Sequence, residues 1–321
     1  MRQVTLSVVA PVYCEGAHLP EFVNALAAEL ARLKDDCGAS YEIVLVDDGS
    51  TDETWEVMRA LTGQHACLRC LRLSRNFGKD AALSAGLAAA RGDAVITMDS
   101  DMQHPVALIP EMVALWRTGR VDVVDVRKQE RQAESLLSRF CAVSFYRIFQ
   151  MLTSYDLKGS GDFKLLDRKV VEAWKSLGER KLFYRGLTSW MGFRHEQILF
   201  TPCARCGGTS KWSMARRATL AVDSMTSFSG KPLLIIGVIT MLFYALSFFV
   251  GCEALWSYIA GHAHSGFTTV ILLILLTGSA ILTGLCIMSA YIHHAFIELK
   301  GRPRYLLAET LEADNKAHPG P

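Results

Sequence analysis

From residue 4 to residue 127 the chain alternates between short apolar runs and longer stretches whose apolar positions recur every three or four residues. VTLSVVAPVY (4–13), YEIVLVDDGS (41–50), CLRCLRLS (67–74), DAVITMDSD (93–101) and VDVVDVR (121–127) are short, rich in aliphatic residues and bounded by turn residues, the pattern of strands. Between them, HLPEFVNALAAELARLKDD (18–36) places Phe22, Leu26, Leu30 and Leu33 on one helical face. Residues 51–61, 78–92 and 105–117 predict three further helices, with Ser50 or Thr51 available to cap the first of them. Strand and helix in alternation predict an α/β domain, Rossmann-like, with a largely parallel sheet covered on both faces. In such sheets ligands bind beyond the carboxyl ends of the strands. The polar stretches PVYCE (11–15), DDGS (47–50) and DSDMQ (99–103) all follow apolar runs, so they are expected to converge on one crevice.

The pattern changes further along. Residues 133–152, AESLLSRFCAVSFYRIFQML, read as a long helix that suits either a core or a membrane surface, with Arg139 and Arg147 along it. Beyond Pro232, the run from Leu233 to Gly251 and the run from Phe267 to Ile292 carry no charge. Each is long enough to cross a bilayer. The expected organisation is a domain over 1–210, an amphipathic interfacial helix over 211–231, two transmembrane helices at about 233–256 and 267–292, and a tail over 296–321. Lys211, Arg216, Arg217 and Lys231 precede the first run and Lys300, Arg302 and Arg304 follow the second, whereas the connector GHAHSG has no Lys or Arg. The excess of basic residues on both flanks places them, and the N-terminal domain, in the cytoplasm.

Composition adds little to this picture. Half of the 321 residues are apolar, the mean hydropathy is +0.21, and the excess sits in the last third. The net charge of +2 gives no reason to expect nucleic acid as a partner. The first ten residues read as a strand, not a cleavable leader. The nine Cys are scattered and suggest no disulfide framework. Cys67/Cys70 and Cys203/Cys206 are CxxC pairs, but the first lies in a strand, where positions i and i+3 face opposite sides. Small buried thiols are expected there instead of zinc.

Candidate chemistry gathers at the strand ends. Asp99, Asp101 and Gln103 alternate just past one of them. Such a pair can be a solvated loop or a helix cap, but at the mouth of a crevice it suits a hard divalent cation, Mg2+ or Mn2+, that also takes substrate phosphate oxygens. Asp47 and Asp48, with Gly49, Ser50 and Asp52, could hold a nucleobase or ribose, or form a turn and helix cap. Arg75 and Lys79 bracket a predicted helix start, where a diphosphate would be well placed. Asp162 stands between Gly161 and Phe163 in LKGSGDFKLLDR, where a structural role is also open. Arg205, Ser210 and Lys211 cluster just before the interfacial segment, suited to an anionic headgroup or to general attraction to anionic lipids.

Taken in order, PVYCE, VDDGSTD, RNFGKDAA, MDSDMQHP, GSGDFKLLDR, GTSKWS and ELKGRPRY resemble the family 2 glycosyltransferases of GT-A fold, spanning about residues 4 to 306. Within that family the chain looks most like the polyprenyl-phosphate branch, dolichyl-phosphate mannose synthase-like and bactoprenol glucosyltransferase-like. The resemblance implies transfer of one sugar from a nucleotide sugar, such as UDP-glucose, to a membrane polyprenyl phosphate, such as undecaprenyl phosphate. It implies a homo-oligomer, up to a tetramer, at a bacterial inner membrane with the catalytic domain cytoplasmic. Carried over by motif, Pro11, Tyr13, Glu15 and Asp48 would hold the nucleoside and Lys79 would approach the diphosphate. Asp99, Asp101 and Gln103 would bind metal and diphosphate, and Asp162 matches the catalytic aspartate. Arg127, Arg139, Arg205, Ser210 and Lys211 would meet the acceptor phosphate. Cys14 departs from the usual Asn after PVY, and the second Gly of CARCGGTSKW lacks the aromatic neighbour common in the family.

Three other readings compete. A processive polysaccharide synthase usually carries Gln-x-x-Arg-Trp and more spans, a dinucleotide-dependent oxidoreductase needs Gly-x-Gly-x-x-Gly after the first strand, and the chain has neither motif. A non-catalytic membrane scaffold of the same fold would have no need of Asp99, Asp101 and Asp162.

Overall fold

β1 (Thr5–Val12) is the strand around which the sheet is laid. It pairs in parallel with β2 (Ser40–Asp47) on one side and β4 (Ala94–Thr97) on the other, and β3 (Leu68–Leu73) continues the parallel block beyond β2. The connections are α1 (Leu19–Cys37), α2 (Thr54–Thr62) and α3 (Lys79–Ala89). These are parallel crossovers, and their direction reverses between β1 and β4. The computed structural model describes residues 5–38, 40–128, 161–180, 183–200 and 267–312, with scattered positions between 238 and 260.

The sheet is more mixed than the largely parallel one the sequence predicts. After β4 come α4 (Ile109–Arg117), led by one 3-10 turn, then β5 (Val123–Lys128), β6 (Lys164–Asp167), α5 (Arg168–Ser176), α6 (Tyr184–Trp190) and β7 (His195–Phe200). β6 runs antiparallel between β4 and β5, β7 runs parallel to β5, and the strand order is β7-β5-β6-β4-β1-β2-β3-β8. The last of these, β8 (Leu307–Glu312), is antiparallel to β3 and lies within the stretch read from the sequence as a tail. Its side chains are largely exposed, so no apolar pattern announces it. Glu309 ties it down, facing Arg59, Arg72 and the indole N–H of Trp55.

Helices cover both faces. Leu6, Val8, Ala10 and Val12 of β1 pack against Phe22, Leu26 and Leu30 of α1, and α2 and α4 complete that core. The other face of β1 meets α3 so closely that a Cβ at Gly86 would stand 2.2 Å from Val9 Cγ1. The first helical stripe is as the sequence predicts: Phe22, Leu26, Leu30 and Leu33 are all at most 5% exposed. The predicted cap of α2 is not observed. The helix starts after Glu53, and the Ser50 hydroxyl instead accepts the Cys14 N–H at 2.9 Å. The first amide of α2, on Thr54, goes to the Asp52 carboxylate at 3.1 Å.

The chain divides into two compact units, one of Met1–Tyr146, Tyr155–Lys211 and Arg302–Pro321 and a second of Arg147–Ser154 with Trp212–Gly301. Its main described element is α7 (Phe267–Leu299). Within α7, Leu276–Leu299 has a mean hydropathy of 1.6 and is unburied, long and apolar enough to cross a membrane. The positions described between 238 and 259 are helical, and large apolar side chains there are also exposed, Phe248 to 76%. The predicted helix at 133–152 and the interfacial helix at 211–231 lie outside the described residues.

Candidate active site

The crossover reversal between β1 and β4 opens a crevice at their carboxyl ends, the expected ligand position in an open α/β sheet. Pro11 and Val12 close the buried stretch of β1, and Tyr13 follows, 47% exposed. Across the crevice, the Ser100 hydroxyl after β4 lies 3.0 Å from the Pro11 carbonyl and hydrogen-bonds the Glu15 carboxylate. Met102 takes a positive φ, turning the loop so that Asp101 accepts both the Gln103 backbone N–H at 3.1 Å and its side-chain amide at 2.6 Å. His104 closes the turn: its Nδ1 accepts the Asp99 N–H at 3.0 Å and its ring stacks on Phe163.

The β2 end supports the site from behind. Asp48 is 4% exposed and accepts the N–H groups of Phe77 and Gly78 at 2.8 and 2.9 Å, which sets the start of α3. Gly49 is needed there. Its φ is +68° and a Cβ would fall 2.3 Å from the Arg75 carbonyl carbon. The carboxylates of this turn thus serve local backbone. Asp47 Oδ1 takes the Ser50 N–H at 2.8 Å.

The centre of the site is a chain of alternating charges. Lys79, first residue of α3, places Nζ 2.5 Å from Asp99 Oδ1 and 2.6 Å from Asp162 Oδ2. Arg185 grips the same Asp162 with two prongs, Nε to Oδ1 at 2.7 Å and Nη2 to Oδ2 at 2.9 Å. Bidentate guanidinium–carboxylate pairs of this kind are among the stronger polar contacts. Burial pushes the Asp162 carboxyl up, but Arg185 and Lys79 outweigh it and hold the group well below the usual carboxylate range. Burial likewise pushes Lys79 down, and Asp99 and Asp162 outweigh it, raising the amine to about 12. The backbone beneath is fixed too: Thr97 Oγ1 donates to the Asp162 carbonyl at 2.7 Å and meets the buried Tyr184 hydroxyl at 2.7 Å.

The acidic side of the crevice has the character of a cation site. Glu15 titrates above its ordinary value through burial first and then through repulsion from Asp101 and Asp99. A hard cation taking phosphate oxygens as well would relieve that repulsion. Among the described residues no three His, Cys, Asp or Glu side chains are grouped so as to hold a metal ion by themselves. The set therefore fits a cation that takes one or two carboxylates and completes its shell with phosphate oxygens and water, the habit of Mg2+.

The structure thus brings together Glu15, Lys79, Asp99, Asp101, Gln103 and Asp162, with Pro11 and Tyr13 at the rim and Asp48 behind. Arg127 stands on β5, one residue past Val126, whose N–H bonds the Phe163 carbonyl. Arg139, Arg205, Ser210 and Lys211 lie outside the described residues. Arg185, Ser100, His104 and Asp80 were not singled out from sequence. Asp80 follows Lys79 on α3 and accepts the Tyr184 N–H. Burial first, then repulsion from Asp162, raises it to about 6.

The acidic crevice thus lies at the reversal point of the sheet, crossed by a lysine from the start of α3. The glycosyl transferase family 2 model matches residues 7–174, and the chain belongs to that family. The uncharacterized glycosyltransferase sll0501 of Synechocystis is 36% identical over 95% of both chains. The SfII prophage-derived bactoprenol glucosyl transferase of Shigella flexneri is 33% identical over 95% of this chain and 98% of its own. Among solved structures, the mannosyltransferase PcManGT of Pyrobaculum calidifontis, in complex with GDP-Man and Mn2+, aligns with a TM-score of 0.49. It is 19% identical and the alignment covers 93% of this chain and 88% of that one.

Proposed function

We propose that the chain transfers a single sugar from a nucleotide sugar, of the UDP-glucose type, to a membrane polyprenyl phosphate, of the undecaprenyl phosphate type. The observation that carries this reading is the grip on Asp162, whose two carboxylate oxygens are both taken by Arg185 and Lys79. A general base works best with a pKa near the operating pH. Asp162 is held far below that by Arg185 and Lys79, so it is a poor base. An acceptor hydroxyl, as in a processive polysaccharide synthase, would need one, whereas a phosphate arrives already ionised. The phosphate oxygen then bonds to the anomeric carbon as the bond to the diphosphate oxygen breaks, and the electron pair leaves with the nucleoside diphosphate. No proton need move, and single in-line displacement inverts the anomeric centre.

In this reading Tyr13 offers its exposed ring to the nucleoside, with Pro11, Glu15 and Asp48 shaping that end. Lys79 reaches the diphosphate from the Asp99–Asp162 pair. A divalent cation, Mg2+ or Mn2+, held by Asp99 and Asp101 with Gln103 beside them, would supply charge neutralisation on the departing diphosphate. Asp162 keeps Lys79 and Arg185 placed around the anomeric carbon. Arg127, with Arg139, Arg205, Ser210 and Lys211, would receive the acceptor phosphate. The bactoprenol glucosyl transferases among the relatives support the lipid acceptor.

The membrane placement has a topological argument. β7 ends at Phe200 and β8 starts at Leu307, and both belong to one sheet. A chain that leaves a sheet and returns to it crosses any membrane an even number of times. If α7 is one crossing, a second is needed, and the uncharged run 233–251 supplies it. This gives a multi-pass protein, and the Lys and Arg residues flanking the two uncharged runs put the catalytic unit in the cytoplasm.

The test is to incubate the full chain with a panel of nucleotide sugars, Mg2+ or Mn2+, and either undecaprenyl phosphate or undecaprenol, then weigh the lipid products. Transfer to the phosphate alone, abolished by EDTA, is expected. Transfer to undecaprenol at a similar rate would overturn the base-free reading, and full activity in EDTA would remove the metal.

A further inference from the structure

A buried pair of hydroxyls stands beside the charge chain and carries no charge itself. Thr97 and Tyr184 are both 0% exposed, and their oxygens lie 2.7 Å apart. Thr97 Oγ1 has one proton and donates it to the Asp162 carbonyl at 2.7 Å. Toward Tyr184 it can then only accept, so the Tyr184 hydroxyl is the donor. Burial holds that phenol well above its ordinary value, which keeps the proton on it. The bonds therefore run in one direction, from Tyr184 to Thr97 to the Asp162 backbone.

This relay joins the segments that carry the charge chain. Thr97 ends β4, two residues before Asp99. Tyr184 starts α6 and directly precedes Arg185, which grips both oxygens of Asp162. The Tyr184 N–H goes to Asp80, the neighbour of Lys79 on α3. Tyr184 is thus held at its amide and at its phenol. Its ring meets Trp174 edge-on at 5.4 Å, and the Trp174 indole donates to Ser84 of α3 at 3.3 Å. The Arg185 side chain is itself 41% exposed, so its aim depends on the backbone that carries it. A planar fork with two matched bonds tolerates little displacement of either partner. We infer that Thr97 and Tyr184 are positioning residues for sugar transfer: their hydroxyl pair locks the Asp162 backbone to α6 and so sets the Arg185 fork. The inference takes the charge chain as the reacting centre, as in the function proposed above, but the rigidity of the fork can be read without any transfer.

The experiment measures fork, turnover and stability on the same full-chain variants in detergent. Exchange of the Arg185 Nε–H with water, followed by NMR of arginine-labelled protein and assigned with Arg185→Lys, reports the fork. Thr97→Val keeps the shape and removes the relay. It should speed that exchange roughly tenfold and lower kcat roughly tenfold, with the donor KM within about threefold. Thr97→Ser, which keeps the hydroxyl, should stay near wild type in both. Thr97→Val with Tyr184→Phe also removes the stranded phenol, so the melting temperature should rise above that of Thr97→Val. Exchange should stay fast and kcat low in this double variant, a split that a purely structural role does not give. Ser7 is a buried hydroxyl at the other end of the sheet, bonded to the Glu42 carboxylate at 2.6 Å and the Gly92 N–H at 2.8 Å. Ser7→Ala should lower the melting temperature and leave the Arg185 exchange unchanged. Unchanged exchange in Thr97→Val would overturn the inference, as would recovery of kcat in step with the melting temperature in the double variant. Equal acceleration in Ser7→Ala would reduce the effect to general loosening and overturn it as well. Fast exchange with unchanged kcat would leave the fork positioned by the relay and remove the relay from transfer. Fast exchange in Thr97→Val, with no transfer by wild type from any donor, would keep the positioning and overturn the proposed function instead.

Discussion

Asp162 is gripped at both oxygens, so the residue that decides its geometry is Arg185, donated by a helix that nothing near Asp162 in sequence announces. Arg185→Ala should leave the fold intact, since the side chain is 41% exposed, yet lower kcat on the order of 100-fold by misplacing Asp162 and Lys79. Arg185→Lys, which keeps charge but not the fork, should restore little of it. Steady-state kinetics with the identified donor would read this, and unchanged kcat in Arg185→Ala would remove the fork from the mechanism. Asp80 separates stability from chemistry. Its carboxyl is raised from 3.8 to about 6, so the folded protein holds that proton more tightly than the unfolded chain. Its contribution to stability is therefore greatest below pH 4 and falls as pH rises toward 6, by up to about 3 kcal/mol. Asp80→Asn should flatten the melting temperature over that window while turnover at pH 7 stays within about threefold. A folded but inactive variant would make Asp80 the base that Asp162 is not. Asp99, Asp101, Lys79 and Asp162 were legible in sequence because each stands at a motif. Arg185, His104 and Asp80 were not, because their meaning lies in partners that only the fold brings near.

At the scale of elements, the strands that were legible are those whose apolar runs are buried on both faces, β1 to β5. β6 is four residues long and begins with Lys164, a residue no pattern assigns to a sheet interior, yet Lys164 is fully buried. It bonds Asp125 of β5, whose other oxygen meets His195 Nδ1 of β7 at 3.1 Å. Burial pushes Asp125 up, but His195 and Lys164 outweigh it and hold the carboxyl at about 2. Burial wins for Lys164, whose amine titrates below its ordinary value despite Asp125. β7 buries only Ile198 and Phe200, and β8 is almost wholly exposed, so both are held by pairing that sequence does not display. Lys164→Met should destabilise the catalytic unit by about 3 to 5 kcal/mol, because it strands a buried carboxylate. The double variant Lys164→Met with Asp125→Leu should recover most of that loss. Denaturant unfolding would check it, and a neutral Lys164→Met would show that the three strands do not depend on this contact.

For the whole molecule, β8 turns a reading of hydropathy into a constraint on topology. Hydropathy and basic flanks suggested a hairpin, but neither requires the chain to come back. The pairing of Arg69 with Glu312 through Leu73 with Leu307 does require it, because residues 307–312 complete a sheet whose other strands all lie before residue 201. α7, at 33 residues, is about 50 Å long, more than the roughly 30 Å hydrocarbon core. In the proposed membrane placement, one end of α7 stands clear of the bilayer. A cysteine placed at His264 in a variant lacking the exposed native thiols should react with an impermeant maleimide added to intact cells. One placed at Lys316, beyond β8, should react only after the cells are opened. Labelling of both from outside, or of neither, would mean an odd number of crossings or none. An odd number conflicts with β8 lying in the same sheet as β7, so that outcome would require β8 to be supplied by something other than its own chain's return.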